Sequence, residues 1–214
     1  MLELGLKILV AYLVGALVGS LVLGKLRGVD IRAMGSGNAG ATNAFRTQGK
    51  AFGAAVFAID VAKGVVAAAW IPIAPIPATW QDPTLSPTWL ALGCGLAVVV
   101  GHVFPVWFGF RGGKGAATMI GVLAALAPRL LAPTVIAWCV VVALTGFVGL
   151  ATMLAGAAAT VAAAFLAGGD WRLTGFCAAL TVFLVYTHRG NIARMRAGQE
   201  HRARRLWLFR PRSA

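Results

Sequence analysis

Apolar residues run along this chain in long blocks separated by short polar stretches, and seven such blocks stand out, at about 4–24, 51–71, 88–108, 116–128, 132–149, 151–168 and 173–187. An α-helix rises 1.5 Å per residue, so about 20 apolar residues cross the hydrocarbon of a bilayer. The pattern predicts an all-α, polytopic transmembrane helical bundle of about seven spans, forming a single domain over 1–214. The fourth block is short, which reads as a tilted or partly re-entrant segment. The divide between the fifth and sixth rests on Gly146, Gly149 and the region of Thr152. The first run, Ile8–Leu23, is long for a signal peptide and no clear A-x-A site follows it, so it reads as an uncleaved first span. Within it, Gly15 and Gly19 form a GxxxG pair expected on one helix face, a pattern of close helix packing.

Composition strengthens this reading. The chain is 59% hydrophobic and only 12% charged, with a mean hydropathy of +0.83. So few polar groups do not cover the surface of a soluble fold of this size. The charge is +13, from nineteen Lys and Arg against six Asp and Glu. A soluble domain of that charge would suggest nucleic acid. Here the basic residues gather between apolar blocks, as on the cytoplasmic side of membrane proteins, and no nucleic-acid partner is expected. The loop 25–50 carries Lys25, Arg27, Arg32, Arg46 and Lys50, the tail after His188 carries eight arginines, and 72–87 carries neither Lys nor Arg. The expected orientation therefore has the N-terminus outside, 25–50, 109–115 and the basic tail 188–214 in the cytoplasm, and 72–87 outside. Cys94, Cys139 and Cys177 stand alone in apolar blocks and read as small buried hydrophobes.

Three polar segments fall on the expected cytoplasmic side. The first, Gly35-Ser36-Gly37-Asn38-Ala39-Gly40-Ala41-Thr42-Asn43 with Arg46 beyond it, combines backbone freedom, hydroxyl and amide donors and a guanidinium fork suited to phosphate. A polar loop with helix caps explains such a stretch as well. The second, Gly112-Gly113-Lys114-Gly115 with Thr118 a turn later, has the makings of an anion-binding nest at a helix start. It is not a Walker A loop, because Phe108 and Gly115 stand where that motif needs Gly and Ser or Thr. A flexible turn with a membrane-edge lysine is the alternative. The third, from His188 through Asn191 to Glu200, places an imidazole and an amide one turn apart at the end of a span, among arginines that anchor it.

Asp60 and Lys63 lie deep in the second span, where charge costs several kcal/mol unless paired or hydrated. They form either an i,i+3 ion pair or the wall of a cavity in which Lys63 faces an anion. His102 reads as a packed or hydrogen-bonded histidine. Carboxylates are few and scattered, so no metal site and no cofactor are expected.

The runs Val29-Asp30-Ile31-Arg32, Gly35-Ser36-Gly37-Asn38 through Thr42-Asn43, Gly101-His102 with Phe104-Pro105, Gly112-Gly113-Lys114-Gly115, and His188-Arg189 with Asn191-Ile192 resemble the bacterial acyl-phosphate:glycerol-3-phosphate acyltransferases, from about Gly15 to Glu200. The resemblance implies a seven-span enzyme of the bacterial cytoplasmic (inner) membrane, with its site facing the cytoplasm. It implies transfer of an acyl group from acyl phosphate to glycerol 3-phosphate in phospholipid synthesis, giving 1-acyl-glycerol-3-phosphate and phosphate. Membrane lipids would surround the acyl tail, and an acyl-phosphate-forming enzyme would supply the donor. The implied catalytic set is Lys114, His188, Ser36 and Arg46. Ser36, Gly112, Gly113, Lys114 and Gly115 are expected at the acyl phosphate. Arg46, Lys63, Thr42, His188 and Asn191 are expected at glycerol 3-phosphate, with Asn38, Asn43 and Thr118 completing the substrate-binding residues. Two departures appear: Gly149, where many members carry serine, and Gly190, where a larger residue is common. A transporter for an organic phosphate would show a similar donor set, but its site usually lies at the midplane between related halves. A structural or lipid-sensing bundle with a polybasic tail is the other rival.

Overall fold

The computed structural model describes residues 2–166, 168–204 and 206–209, which form ten α-helices joined by turns and short 3₁₀ pieces, with no β-strand among them. They fall into two compact units, Met1–Pro128 and Arg129–Ala214.

The first unit holds α1 (Leu2–Gly15), α2 (Gly19–Leu26), α3 (Ala41–Gln48), α4 (Lys50–Val65, prolonged by a π-helical turn, Val66–Trp70), α5 (Pro87–Val103) and α6 (Ala116–Leu126). Helix α1 packs on α5, and α4 packs on α6, α3 and α2. These crossings are close because glycines sit at them. A Cβ on Gly15 would meet the Val98 backbone, one on Gly101 the Tyr12 carbonyl, and those on Gly64 and Gly121 the backbones of α6 and α4 respectively. Backbones that approach this closely gain dispersion contacts that lipid does not replace.

The expected GxxxG face does not form. The chain breaks after Gly15, and α1 and α2 are bent by 50° across the gap. Gly15 packs on α5, whereas Gly19 faces Ile59 and Val56 of α4. Two glycines in one turn weaken the helix, and a break lets each half follow a different partner.

The second unit holds α7 (Leu131–Thr145), α8 (Val148–Leu166), α9 (Trp171–Thr187) and α10 (Arg189–Arg196). Helix α8 packs on both α7 and α9, and apart from Met153 its buried face is small: Gly149, Ala151, Ala155, Gly156, Ala159, Ala162 and Ala163. Helix α7 turns Val135, Ile136, Val140 and Leu144 outward, as suits a helix against lipid. Asp170 caps α9 by accepting the Arg172 N–H at 3.0 Å. Past α10 the basic segment folds back on the end of α7. The N–H groups of Ala203 and Leu208 donate to Gly146 and Ala143, and Arg202 lies over the rings of Phe147 and Trp207.

Among the described residues four helical runs are long and apolar enough to cross a membrane, namely Lys50–Trp70, Pro87–Phe108, Pro128–Thr145 and Val148–Leu166, and the bent α1–α2 pair adds a fifth when its two pieces are counted as one span. The other two apolar blocks are helical but shorter, with 11 residues in α6 and 17 in α9.

Candidate active site

The break between α1 and α2 leaves backbone groups without helical partners inside an apolar unit, where each costs several kcal/mol if left unpaired. Side chains of α4 satisfy them. The Lys63 ammonium donates to the carbonyls of Gly15 at 2.8 Å and Leu17 at 3.2 Å. Asp60 Oδ1 accepts the Gly19 N–H at 3.1 Å. Lys63 and Asp60 pair at 3.0 Å, and His102 Nδ1 lies 2.8 Å from Lys63 Nζ and 3.4 Å from Asp60 Oδ1. All three residues are buried, Asp60 at 0%, Lys63 at 6% and His102 at 2% exposure. Of the two readings open for Asp60 and Lys63, this is the ion pair. Lys63 has three N–H donors and four acceptors within 3.2 Å. His102 is hydrogen-bonded, as expected. Two buried side-chain oxygens among the described residues, Asp60 Oδ2 and Thr118 Oγ1, have no protein partner.

The Ser36 loop is organised by one amide. Asn43 is 1% exposed. Its Nδ2 donates to the carbonyls of Ile31 at 3.1 Å and Met34 at 2.9 Å, while its Oδ1 accepts the Ser36 N–H at 2.9 Å. With Gly35 and Gly37 at φ of 57° and 72°, the chain coils tightly over this side chain. Asn43 therefore shapes the loop, a role the residue type allowed but the expected substrate contact did not include. Ser36 itself is exposed, as are Thr42 and Arg46, which share the outer face of α3 one turn apart. Asn38 is half-buried against Gly40.

The 112–115 loop is bound to the end of α5. The N–H groups of Gly112 and Gly113 donate to the carbonyls of Val103 at 3.0 Å and His102 at 3.1 Å. Those two donors are thus directed at protein. The N–H groups that point onward are those of the first turn of α6, which every helix leaves without intrahelical acceptors. Gly115 caps that helix in the left-handed conformation, φ 91°, and half-buried Lys114 stands immediately before it. Thr118, fully buried, lies one turn in.

Arg32 ties these loops together, a role that charge counting alone had not singled out. Its Nη1 donates to the carbonyls of Phe108 at 2.9 Å and Arg111 at 3.2 Å, while Nε and Nη2 grip Asp30. The hydrogen bond from the Arg32 guanidinium holds the Asp30 carboxyl below the usual carboxylate range.

In the second unit His188 is buried between α9 and α10, with Nδ1 2.8 Å from the Leu184 carbonyl. A carbonyl only accepts, so Nδ1 carries the proton and Nε2 is the basic nitrogen of the neutral ring. Asn191, also buried, donates to Glu200 at 2.6 Å, and Glu200 accepts from Arg194 at 2.7 Å. A Cβ on Gly149 would lie 2.8 Å from the Asn191 amide, so the glycine is matched to its neighbour.

Comparison with known proteins points the same way as these loops. A family model described as glycerol-3-phosphate acyltransferase matches residues 5–198. Curated relatives named glycerol-3-phosphate acyltransferase include one from Bacillus velezensis, 42% identical over 90% of this chain and 93% of its own. Another, from Aquifex aeolicus, is 36% identical over 91% and 96%. Among solved structures, the integral membrane glycerol 3-phosphate acyltransferase PlsY in its glycerol 3-phosphate form superposes with a TM-score of 0.79 at 35% identity, over 93% of this chain and 94% of that one. Its lysophosphatidic acid form gives the same TM-score over 97% and 99%. This chain belongs to the glycerol-3-phosphate acyltransferase family of integral membrane proteins.

Proposed function

We propose that this protein transfers the acyl group of an acyl phosphate to glycerol 3-phosphate, releasing phosphate and 1-acyl-glycerol-3-phosphate. The acyltransferase activity rests on one observation above all: near full-length similarity to enzymes that carry that name, including a structure seen with each of glycerol 3-phosphate and lysophosphatidic acid. The acyl-phosphate donor is what the family resemblance implies, and the compact glycine loop with its one lysine suits it.

An acyl phosphate is a mixed anhydride. The glycerol hydroxyl oxygen forms a bond to the acyl carbon, the bond from that carbon to the phosphate oxygen breaks, and the departing phosphate takes the hydroxyl proton. The protein must chiefly position two phosphate-bearing molecules and stabilise charge as it develops. We assign Lys114, Gly115, the first turn of α6 and the Ser36 hydroxyl to the leaving phosphate. Gly112, Gly113, Asn43 and Thr118 shape those segments. Arg46, Thr42, Asn38, His188 and Asn191 are assigned to glycerol 3-phosphate, as the family resemblance implies, with His188 orienting the hydroxyl or relaying its proton to the departing phosphate. Lys63, surrounded by its own acceptors, is assigned to holding the α1–α2 break.

We further infer seven spans in a single transmembrane domain of the bacterial inner membrane. The N-terminus lies outside, and the C-terminus and active site face the cytoplasm, where an acyl-phosphate-forming enzyme supplies the donor. The charge distribution supports this orientation. A broken helix also occurs in transporter sites, but here its exposed backbone groups are occupied by Lys63 and Asp60, which favours the enzyme.

The test is the initial rate with glycerol 3-phosphate and each donor in turn, in detergent or liposomes. Acyl phosphate should support turnover, and acyl-CoA and acyl carrier protein should not. Comparable turnover with acyl-CoA overturns the donor assignment.

A further inference from the structure

His102 belongs to no substrate contact assigned above, yet it lies directly beneath the 112–115 loop. Its carbonyl accepts the Gly113 N–H at 3.1 Å. Its ring faces Gly113 so closely that a Cβ there would run into Nε2 and come within 2.9 Å of Cε1. Gly112 is pressed against the same residue, where a Cβ would meet the His102 carbonyl oxygen. Gly113 does not adopt a left-handed conformation, unlike Gly109 and Gly115. Its backbone is therefore open to any residue, and what demands glycine is the ring.

The ring is itself aimed. Its Nδ1 edge faces the α4 ion pair, 2.8 Å from Lys63 Nζ and 3.4 Å from Asp60 Oδ1, and its Nε2 edge faces Gly113 in the loop. Asp60 and the broken-helix carbonyls hold Lys63 in turn. Rotation of the imidazole would break this buried network, which gives the ring one orientation.

We propose that His102 is a positioning residue for acyl transfer: a ring set by Lys63 and Asp60 as a stop beneath Gly113, which fixes the height at which Lys114 and the start of α6 meet the donor phosphate. The inference rests on the reading that this loop takes the acyl phosphate. A displacement near 1 Å in such a segment costs up to about 10²-fold in rate.

The experiment is a size exchange on the full-length enzyme, read as kcat and KM for each substrate, with thermal unfolding in detergent alongside. Gly113→Ala should lower kcat/KM for acyl phosphate by about 10²-fold. Adding His102→Ala should recover about 10-fold of that loss, because the new methyl then enters the space the ring left, a non-additive result expected only of touching residues. His102→Asn, which keeps a polar atom toward Lys63 but withdraws the ring edge, should raise KM for acyl phosphate about 10-fold and leave KM for glycerol 3-phosphate within about 2-fold. A merely structural role would move both KM values or neither. The proposal is overturned if Gly113→Ala is fully active, or if the double variant is folded and no better than Gly113→Ala. Lys114→Ala separates the two readings. Normal activity in Lys114→Ala overturns the loop's role itself, whereas loss in Lys114→Ala with additive Gly113 and His102 effects overturns the His102 inference alone.

Discussion

Ser36 and Lys114 sit on two glycine-bearing loops of the same unit that are built in different ways. The Ser36 loop is knotted by its own neighbour. Asn43, seven residues on, receives the Ser36 N–H and reaches back to Ile31 and Met34. The Lys114 loop is instead laid against a foreign support. His102 comes from the end of α5, and the groups that orient it, Lys63 and Asp60, come from α4. The first loop takes most of its hydrogen bonds from within residues 31–43, with one brought in by Ser20 of α2 to the Ala39 carbonyl. The second takes its shape from helices that must first pack, and it is therefore coupled to the α1–α2 break that the same ion pair stabilises.

The largest consequence of that difference should come from Lys63→Met. It leaves Asp60 charged, buried and without its ammonium, and it frees the Gly15 and Leu17 carbonyls. Removing one partner of a buried pair costs about 3–5 kcal/mol, so thermal unfolding in detergent should show a large drop, with acyl-phosphate turnover lost alongside. If stability is retained, the ion pair is not what holds the break. Asn43→Ala should act more locally. It strands two carbonyls and one N–H at a cost of about 1–3 kcal/mol. It should reduce activity while the rest of the first unit keeps its hydrogen-exchange protection. A global loss of protection would show that the Ser36 loop is not locally built. The smallest effect belongs to the clamp between the loops. Asp30 is held below its ordinary range by Arg32, so its contribution is present at neutral pH and lost as pH falls through the lowered folded value. Both groups are substantially solvated, and the contribution should stay below about 1 kcal/mol. Melting temperatures at neutral and acidic pH, in the native protein and in Arg32→Gln, should differ by that small amount, with the acid-dependent part absent from the variant.

Both loops were visible in the sequence as glycine-rich polar stretches, and Ser36, Lys114 and Arg46 carry their chemistry in their residue type. The roles of Asn43 and Gly113 were not visible. An asparagine in a polar loop looks like a donor to substrate until its three partners are seen, and a glycine beside a lysine looks like a nest until a ring is found beneath it. Gly15 and Gly19 misled for a related reason. Their spacing suggests one face of one helix, but α5 and α4 compete for the two residues and the helix breaks between them.

What the sequence by itself determined is the solvent of the protein and the class of its chemistry. Long apolar blocks require helices in lipid, because such helices satisfy their own backbone there, and cations beside glycines and hydroxyls suit an anionic partner. What only the tertiary structure decided is which polar groups remain for that partner. Lys63 is held by the backbone of the distant α1–α2 break, Asn43 by the loop that coils over it, Gly112 and Gly113 donate to the end of α5, and Gly149 is matched to Asn191. A hydrogen-bonding group can serve the fold or the ligand, and which one it serves depends on acceptors that arrive only when distant segments pack.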